Sequence, residues 1–536
     1  MRNTELYQTE KLEDRMGCKG MHTSAYRASM IPAAFGWRRV RCLLLLVIFL
    51  ACITAGALAS ERSPGEALYQ KALVLEGELL YSQASELYSQ ALPLLMQEGN
   101  AQLANTCDEA LKRLTVIQMT YPLTLEQLVK AIQAAYPQAT EDQIESWTAG
   151  ENVQQTLYDG EAHYFFDAVA NLKYRHMDLM HADEAAQRSY HDLVLNINRM
   201  AMEEPERPWS QYHNPATYRG THTISVPREE LPETGTLRIW LPIPINNGPQ
   251  TGVTVESVVP EKWLKQPPSI DQDIGLVYME VPMEDLTEDL AIQVQFTFTH
   301  YEQRFTVDPA NIGAYDRDSK LYQRYTGSFG NTEISPEIRE MAERIVDGET
   351  NPYLAARKIY DYIVENVTYS FMPHYAFWPR INSTESAYVH RYQRGDCGAQ
   401  SMYFSAMCRA LGIPARTTGG WQLFSGEFGS HFWAEFYLPN YGWVPVDTSA
   451  GQLALFPKDI SQEERQTFID YFFASQDSMR CVVQVDTDVP LIPRAGSMVL
   501  LPMVIQVPTV TYSIPTGEIL DEAILDHWTM RCEKIG

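Results

Sequence analysis

A chain of 536 residues, 45% hydrophobic and 21% charged, is too long for one core and too apolar for a disordered polypeptide. Its net charge of −26 excludes general electrostatic attraction to nucleic acid or to an anionic membrane surface.

Residues 1–59 form a basic leader, with eight Lys+Arg against four acids, so the rest of the chain carries −30. Arg38-Arg39-Val40-Arg41 precedes an apolar run from Cys42 to Thr54, and Ala57-Leu58-Ala59 reads as a small-residue cleavage site. The pattern predicts export to an extracellular or cell-surface location. An uncleaved N-terminal anchor is the alternative; it would leave the body outside and supply the chain's one membrane contact. Met30 is a candidate true start, because the residues before it are polar and unlike a signal. Beyond the leader stand Cys107, Cys397, Cys408, Cys481 and Cys532, too few and too scattered for a disulfide framework.

Residues 60–204 carry a helical pattern. Ala67, Ala72, Leu79, Leu80, Ala84, Leu87 and Ala91 recur at three-, four- and seven-residue intervals, and Glu98-Gly99-Asn100 punctuates them. The stretch ALYQKALVLEGELLYSQASELYSQALPLL is similar to one tetratricopeptide-type helix pair, whereas an array needs about three units for stability. Further helices are expected at Leu125–Ala135, at Glu141–Trp147 with Thr140 as its cap, and at Tyr164–Met180. This region reads as a packing module, or one that docks a protein partner.

Near Pro205–Thr217 the period changes to that of strands. THTISVP, TLRIWLPIPI, TGVTVESVV, IGLVYMEV and LAIQVQFTFTHY alternate between turn residues, which predicts an antiparallel β-sandwich within residues 218–306. Residues 335–450 then predict a mixed α+β unit, opened by the cap-and-proline start Ser335-Pro336. Residues 451–536 predict a β-rich extension, with VPTVTYS a strand and LDEAILDHW a short helix.

Chemistry concentrates between Arg394 and Asp447. Cys397 follows Gly395-Asp396 and opens an apolar stripe (Ala399, Met402, Tyr403, Ala406, Met407, Ala410, Leu411) that stops at Gly412-Ile413-Pro414. A first-turn cysteine meets free backbone N–H groups and the helix dipole, which favour a thiolate. Asp396, as N-cap, adds an anion beside it, so the thiolate needs a cationic partner, for which His431 is the candidate. Cys397 and Cys408 lie roughly 16 Å apart along one helix and cannot bridge.

His431-Phe432-Trp433-Ala434-Glu435-Phe436-Tyr437-Leu438 and Trp443-Val444-Pro445-Val446-Asp447 read as two strands joined through Pro439-Asn440-Tyr441-Gly442. His431 and Asp447 share a face only if paired residue numbers sum to an even value, which demands a three- or five-residue loop or a bulge. Cys397, His431 and Asp447 then form nucleophile, base and orienting acid. No second Cys or His stands at ligand spacing, so neither metal nor cofactor is expected. Gln393, Tyr392 and Tyr388 are candidate second donors to an oxyanion beside the Cys397 backbone N–H, and Trp421 and Trp433 are candidate cleft walls.

RGDCGAQSMYFSAMCRALGIPAR, SHFWAEFYLPNYGWVPVD and the upstream ARKIYDYIVENVTYS resemble the core of the transglutaminase-like superfamily, papain-type cysteine acyltransferases and peptidases common among exported microbial proteins. The resemblance covers roughly Pro336 to Ser449. It implies a cysteine helix packed on an antiparallel sheet, a Cys397-His431-Asp447 triad, and cleavage or transfer of amide bonds in a peptide or protein substrate through a thioester. Protein crosslinking and a non-catalytic surface scaffold are the alternatives.

Overall fold

The computed structural model describes residues 62–204, 210–374, 383–424, 427–495, 506–514, 517–520 and 527–536. The leader, and most of the short helix expected at LDEAILDHW, lie outside the described residues. Among those described, no helix is long and apolar enough to cross a membrane.

Three helices begin the described chain, α1 (Pro64–Gly77), α2 (Tyr81–Gln97) and α3 (Ala101–Thr120). Tyr69, Ala72, Tyr81, Ala84, Tyr88, Ala91 and Leu95 recur at helical spacing and bury one shared core. Arg113 of α3 donates to both carboxylate oxygens of Glu76, at 2.7 and 2.8 Å, and so ties α3 to α1. Thr124 and Thr140 close reciprocal capping boxes with Gln127 and Gln143 at the starts of α4 (Leu125–Ala135) and α5 (Glu141–Thr148).

The helix expected over Tyr164–Met180 is broken at His176 into two short helices, α6 (Ala168–Arg175) and α7 (Met177–Ala182), and is preceded by a hairpin, β1 (Gln155–Tyr158) and β2 (Glu161–Tyr164). The hairpin forms because Asp159-Gly160 takes two successive positive φ angles, 51° and 85°, as a two-residue turn requires. Helix α8 (Glu184–Met202) packs its apolar face against the C-terminal half of the chain. Leu193, Val194 and Ile197 join the largest core of the molecule, and Asn198 and Gln187 donate to the carbonyls of Glu464 and Phe456.

The β region begins with β3 (Tyr212–Val226), β4 (Thr236–Pro242), β5 (Gln250–Val259), β6 (Leu276–Pro282) and β7 (Leu290–Arg304), succeeded by the short helix α9 (Lys320–Tyr325). Its strands form two antiparallel sheets over a common core. Ile224, Val226, Ile292, Val294 and Phe296 come from one sheet, and Leu237, Ile239, Leu241, Val277, Met279 and Val281 from the other.

Helices α10 (Pro336–Val346) and α11 (Pro352–Asn366) are each preceded by an Asn or Ser cap and start with proline. Next come β8 (Thr368–Tyr369), α12 (Glu385–Tyr392), β9 (Arg394–Gly395), α13 (Cys397–Ala410), β10 (Ala415–Phe424), β11 (Glu427–Leu438), β12 (Gly442–Val446), α14 (Thr448–Gln452), α15 (Gln462–Tyr471), β13 (Ser475–Gln476) and β14 (Arg480–Val485). Strands β12-β11-β10-β14 form one antiparallel sheet, and every residue of α13, which packs on β10 and β11, is buried.

The C-terminal segment returns to the β region. β15 (Thr509–Ile514) pairs with β4 and with β16 (Gly517–Leu520), while β17 (Trp528–Lys534) pairs with β3. Each of the two sheets therefore includes strands from both sides of the α+β unit.

Candidate active site

Asp396 caps α13 as its sequence requires, its Oδ1 accepting the Ala399 N–H at 3.0 Å. The helix ends with Gly412 at φ 76° and with Ile413 N–H returning to the Cys408 carbonyl. Cys397 is thereby fixed in the first turn. It clusters with Met402 and with Phe432, the residue after His431.

Strand alternation and loop length carry His431 and Asp447 to one side. In the β11–β12 ladder Leu438 pairs with Gly442 and Ala434 with Val446, all even sums, across the three-residue loop Pro439-Asn440-Tyr441. Asn440 and Gly442 supply the positive φ angles, 77° and 90°. Asp447 caps α14, its Oδ1 accepting the Ala450 N–H at 2.9 Å, which leaves Oδ2 to accept from His431 Nε2 at 2.8 Å. Both side chains are buried.

The structure adds three groups that sequence reasoning did not find. Arg480, fully buried on β14, donates through Nη1 to Asp447 Oδ2 at 2.6 Å. Its Nε and Nη2 reach Asp477 Oδ2 at 3.1 and 2.8 Å, and its guanidinium lies over the rings of Trp433 and Phe424. Glycine at 420 makes this approach possible. A Cβ there would stand 1.8 Å from the Cys481 carbonyl oxygen, so a larger residue on β10 would push β14 away. Gln506, just before β15, holds the carbonyls of His431 and Gly420 with one amide, each at 2.9 Å.

The second addition is His374, which bridges Glu385 Oε1 (2.7 Å) and Asp396 Oδ2 (2.5 Å). Burial alone would lower its pKa, but Asp396 and Glu385 together hold it well above the histidine range. Burial correspondingly raises Asp396, yet His374 and the helix amides keep it below its ordinary value. Asp396 thus has a counter-ion of its own in His374, which the sequence did not suggest.

The third is Tyr369. β8 pairs with β9, setting Tyr369 opposite Gly395, two residues from Cys397. Burial, then Cys397 and Asp396, push its hydroxyl well above the usual tyrosine value.

Cys397 is itself pushed well above the thiol range, first by burial and then by Asp396, against the amides of Phe432 and Gly398. A helix terminus stabilises an adjacent charge by about 0.3–1 kcal/mol, while removing a charge from water costs several kcal/mol. The helix start therefore does not yield a resting thiolate.

The other candidates from sequence sit elsewhere. The Gln393 amide accepts from the Tyr362 hydroxyl at 2.7 Å and donates to the His390 carbonyl at 2.8 Å, so it is committed to its own helix end. Tyr392 packs at a tilt against Tyr388, ring centroids 4.6 Å apart, between Arg391 and Arg394. Trp421 is sealed into the core of the two β sheets, and Trp433 packs among Ile245, Val482 and Val485. Both indoles are buried, and the Trp433 ring lies 6.1 Å from that of His431.

Replacing His374 by glutamine should slow alkylation of Cys397 at neutral pH by about tenfold, since an uncompensated Asp396 anion opposes the thiolate. Stability gives an independent check. A raised folded pKa stabilises fully below the unfolded value of about 6.5 and is lost as pH rises through the higher folded value. The urea midpoint of the native protein should fall across that window, and that of His374→Gln should not.

Residues 339–448 match the transglutaminase-like superfamily core. An uncharacterized protein of Haemophilus influenzae is 27% identical over 188 residues, covering 29% of this chain and 48% of that protein, so the chain spans about half the length of the curated relative it matches. Among solved structures, a candidate cysteine protease from Cytophaga hutchinsonii is similar at 13% identity and a TM-score of 0.36, covering 60% of this chain and 92% of that one. The periplasmic domain of TgpA from Pseudomonas aeruginosa is similar at 13% identity and a TM-score of 0.23, covering 46% of this chain and 98% of that one.

Proposed function

Residues 339–448 belong to the transglutaminase-like superfamily, and from that premise we propose that the chain is an exported cysteine enzyme that cleaves or transfers amide bonds of a peptide or protein. The observation that carries the reading is the Asp447–His431 hydrogen bond, set beside a cysteine at the start of a buried helix. Asp447 occupies His431 Nε2, which leaves Nδ1 as the nitrogen that exchanges protons with sulfur and substrate.

Cys397 Sγ attacks the amide carbonyl as its proton passes to His431 Nδ1. The Cys397 backbone N–H, at the helix start, donates to the oxyanion that forms. Collapse of that intermediate breaks the C–N bond, and His431 returns the proton to the leaving amine. The thioester then acylates water, or an amine acceptor, with His431 again taking the incoming proton.

The basic leader supports export. The α1–α2 hairpin supports a tetratricopeptide-like reading of that segment, and the two facing sheets support a β-sandwich. Both are candidates for docking a protein partner.

Labelling with iodoacetamide, coupled to mass spectrometry, tests the reading. Cys397 should react faster than Cys408, which is buried on the same helix, and His431→Ala should erase the difference. Equal rates in the native protein, unchanged by His431→Ala, would show that Cys397 is only a core residue. Product masses from a peptide with and without an added amine then separate hydrolysis from transfer.

A further inference from the structure

We propose that Arg480 and Asp477, which lie outside the segment matched by the family, are positioning residues for the triad: Arg480 holds Asp447 ionised and aimed at His431, and Asp477 draws off part of its charge. The inference rests on the cysteine-enzyme reading above and adds a residue pair to it.

The geometry makes the connection specific. Asp447 Oδ2 accepts from both His431 Nε2 (2.8 Å) and Arg480 Nη1 (2.6 Å), so the imidazole and the guanidinium share one oxygen. Oδ1 is fixed by Ala450 N–H and the Ser449 hydroxyl. The carboxylate therefore has no freedom to rotate away from His431. Arg480 in turn spans two carboxylates with three N–H groups, an arrangement a lysine cannot reproduce.

Among the described residues, these two acids are the only charged hydrogen-bond partners of Arg480, and the β region clamps its strand. Gln250 of β5 accepts from Val482 N–H and donates to the Val482 carbonyl, while Ile245 N–H and Gly275 N–H reach the carbonyls of Val482 and Val483. The orientation of a triad residue is thus set by two segments outside 339–448.

Charge explains why a pair is needed rather than a single arginine. An undivided cation close to His431 would oppose the imidazolium that forms during attack. Asp477 moderates it. The other groups facing this network are Cys397 and Tyr360 toward Asp447, Tyr218 and Tyr471 toward Asp477, and His300 of β7 toward Arg480. Burial lowers His300 to about 3 and raises the three tyrosines. These histidine and tyrosine groups stay neutral across the working range, which leaves Arg480, itself held by Asp477, as the fixed cation bonded to Asp447.

The test is the pH dependence of Cys397 alkylation by iodoacetamide in the full chain, with folding of each variant checked by circular dichroism. Arg480→Met removes a positive charge and should raise the midpoint by about half a pH unit or more, whereas Asp477→Asn removes a negative one and should lower it by a similar amount. Arg480→Lys should keep the native midpoint but lose several-fold in plateau rate, because it retains charge without the fork. A residue serving packing alone would not move the midpoint in opposite directions. If Arg480→Met does not fold, Asp477→Asn and Arg480→Lys decide the matter. Midpoints that stay at the native value in Asp477→Asn, or a native plateau in Arg480→Lys, overturn the proposal. Cys397 reacting no faster than Cys408 in the native protein would instead remove the enzyme reading beneath it.

Discussion

His431→Ala should lower kcat for amide turnover by about 10⁴–10⁶-fold, the range over which loss of a triad base is felt when nucleophile and base act as a unit. KM should change little, because the imidazole contributes to proton transfer and not to holding the remote parts of the substrate. The size of the effect comes from the state of Cys397. With burial and Asp396 both opposing the thiolate, no preformed anion remains to attack when the base is gone. Stability should suffer far less. Asp447 keeps its bond to Arg480 and its cap on α14, and Gln506 still holds the residue 431 carbonyl. A variant that is folded, binds substrate and fails to acylate Cys397, read by single-turnover mass spectrometry, is the expected result. Retention of more than a few per cent of turnover would mean that another group takes the proton.

Asp447→Asn is expected to be nearly as damaging to turnover, about 10³–10⁴-fold, and more damaging to stability. Asp447 serves two donors with one oxygen and a backbone cap with the other. An amide has one acceptor. If it faces His431 and Arg480, its NH₂ meets the Ala450 N–H; if it keeps the cap, its NH₂ faces two donors. Either way buried Arg480 loses one of its two carboxylate partners, a change that costs up to about 3–5 kcal/mol. The acid dependence has a definite sign. Burial favours a neutral Asp447, but His431 and Arg480 outweigh it and hold the carboxyl well below the usual carboxylate range. A depressed folded pKa contributes stability above the unfolded value of about 3.9 and loses it as pH falls toward the folded one. Native protein should therefore weaken in urea progressively below about pH 4 through this group, a component that Asp447→Asn lacks. The two unfolding curves, compared from about pH 3 to neutrality, measure it.

What the sequence disclosed and what it hid divide by range of interaction. The Asp396 cap, the Gly412 stop and the strand alternation around His431 and Asp447 are local, and each can be read within a few residues. The even register of β11 and β12 is also a local matter, since the faces of both residues and the length of the loop constrain it. Arg480 was out of reach. It sits 33 residues from Asp447 in RCVVQV, which reads as an ordinary buried strand, and only the sheet order β11-β10-β14 brings it home. His374 lies 22 residues before Asp396 in a stretch without periodicity. Trp421 and Trp433 were misplaced for a different reason. Alternation tells which residues share a face but not which face is covered, and here the β region and β14 cover the one that seemed open. The thiolate expectation failed on magnitude, because a helix terminus is a smaller effect than burial beside an anion.

The order of strands also bears on how the site is assembled. Synthesis delivers Cys397, His431 and Asp447 before Arg480, and Arg480 before β15 and β17, the strands that pair with β4 and β3. A nascent chain that has just finished residue 450 holds all three triad members and lacks the arginine, the Gln506 staple and two of the strands that complete the sheets around it. Since domains tend to consolidate as their residues emerge, the network that orients Asp447 is completed only once β14, β15 and β17 have been made.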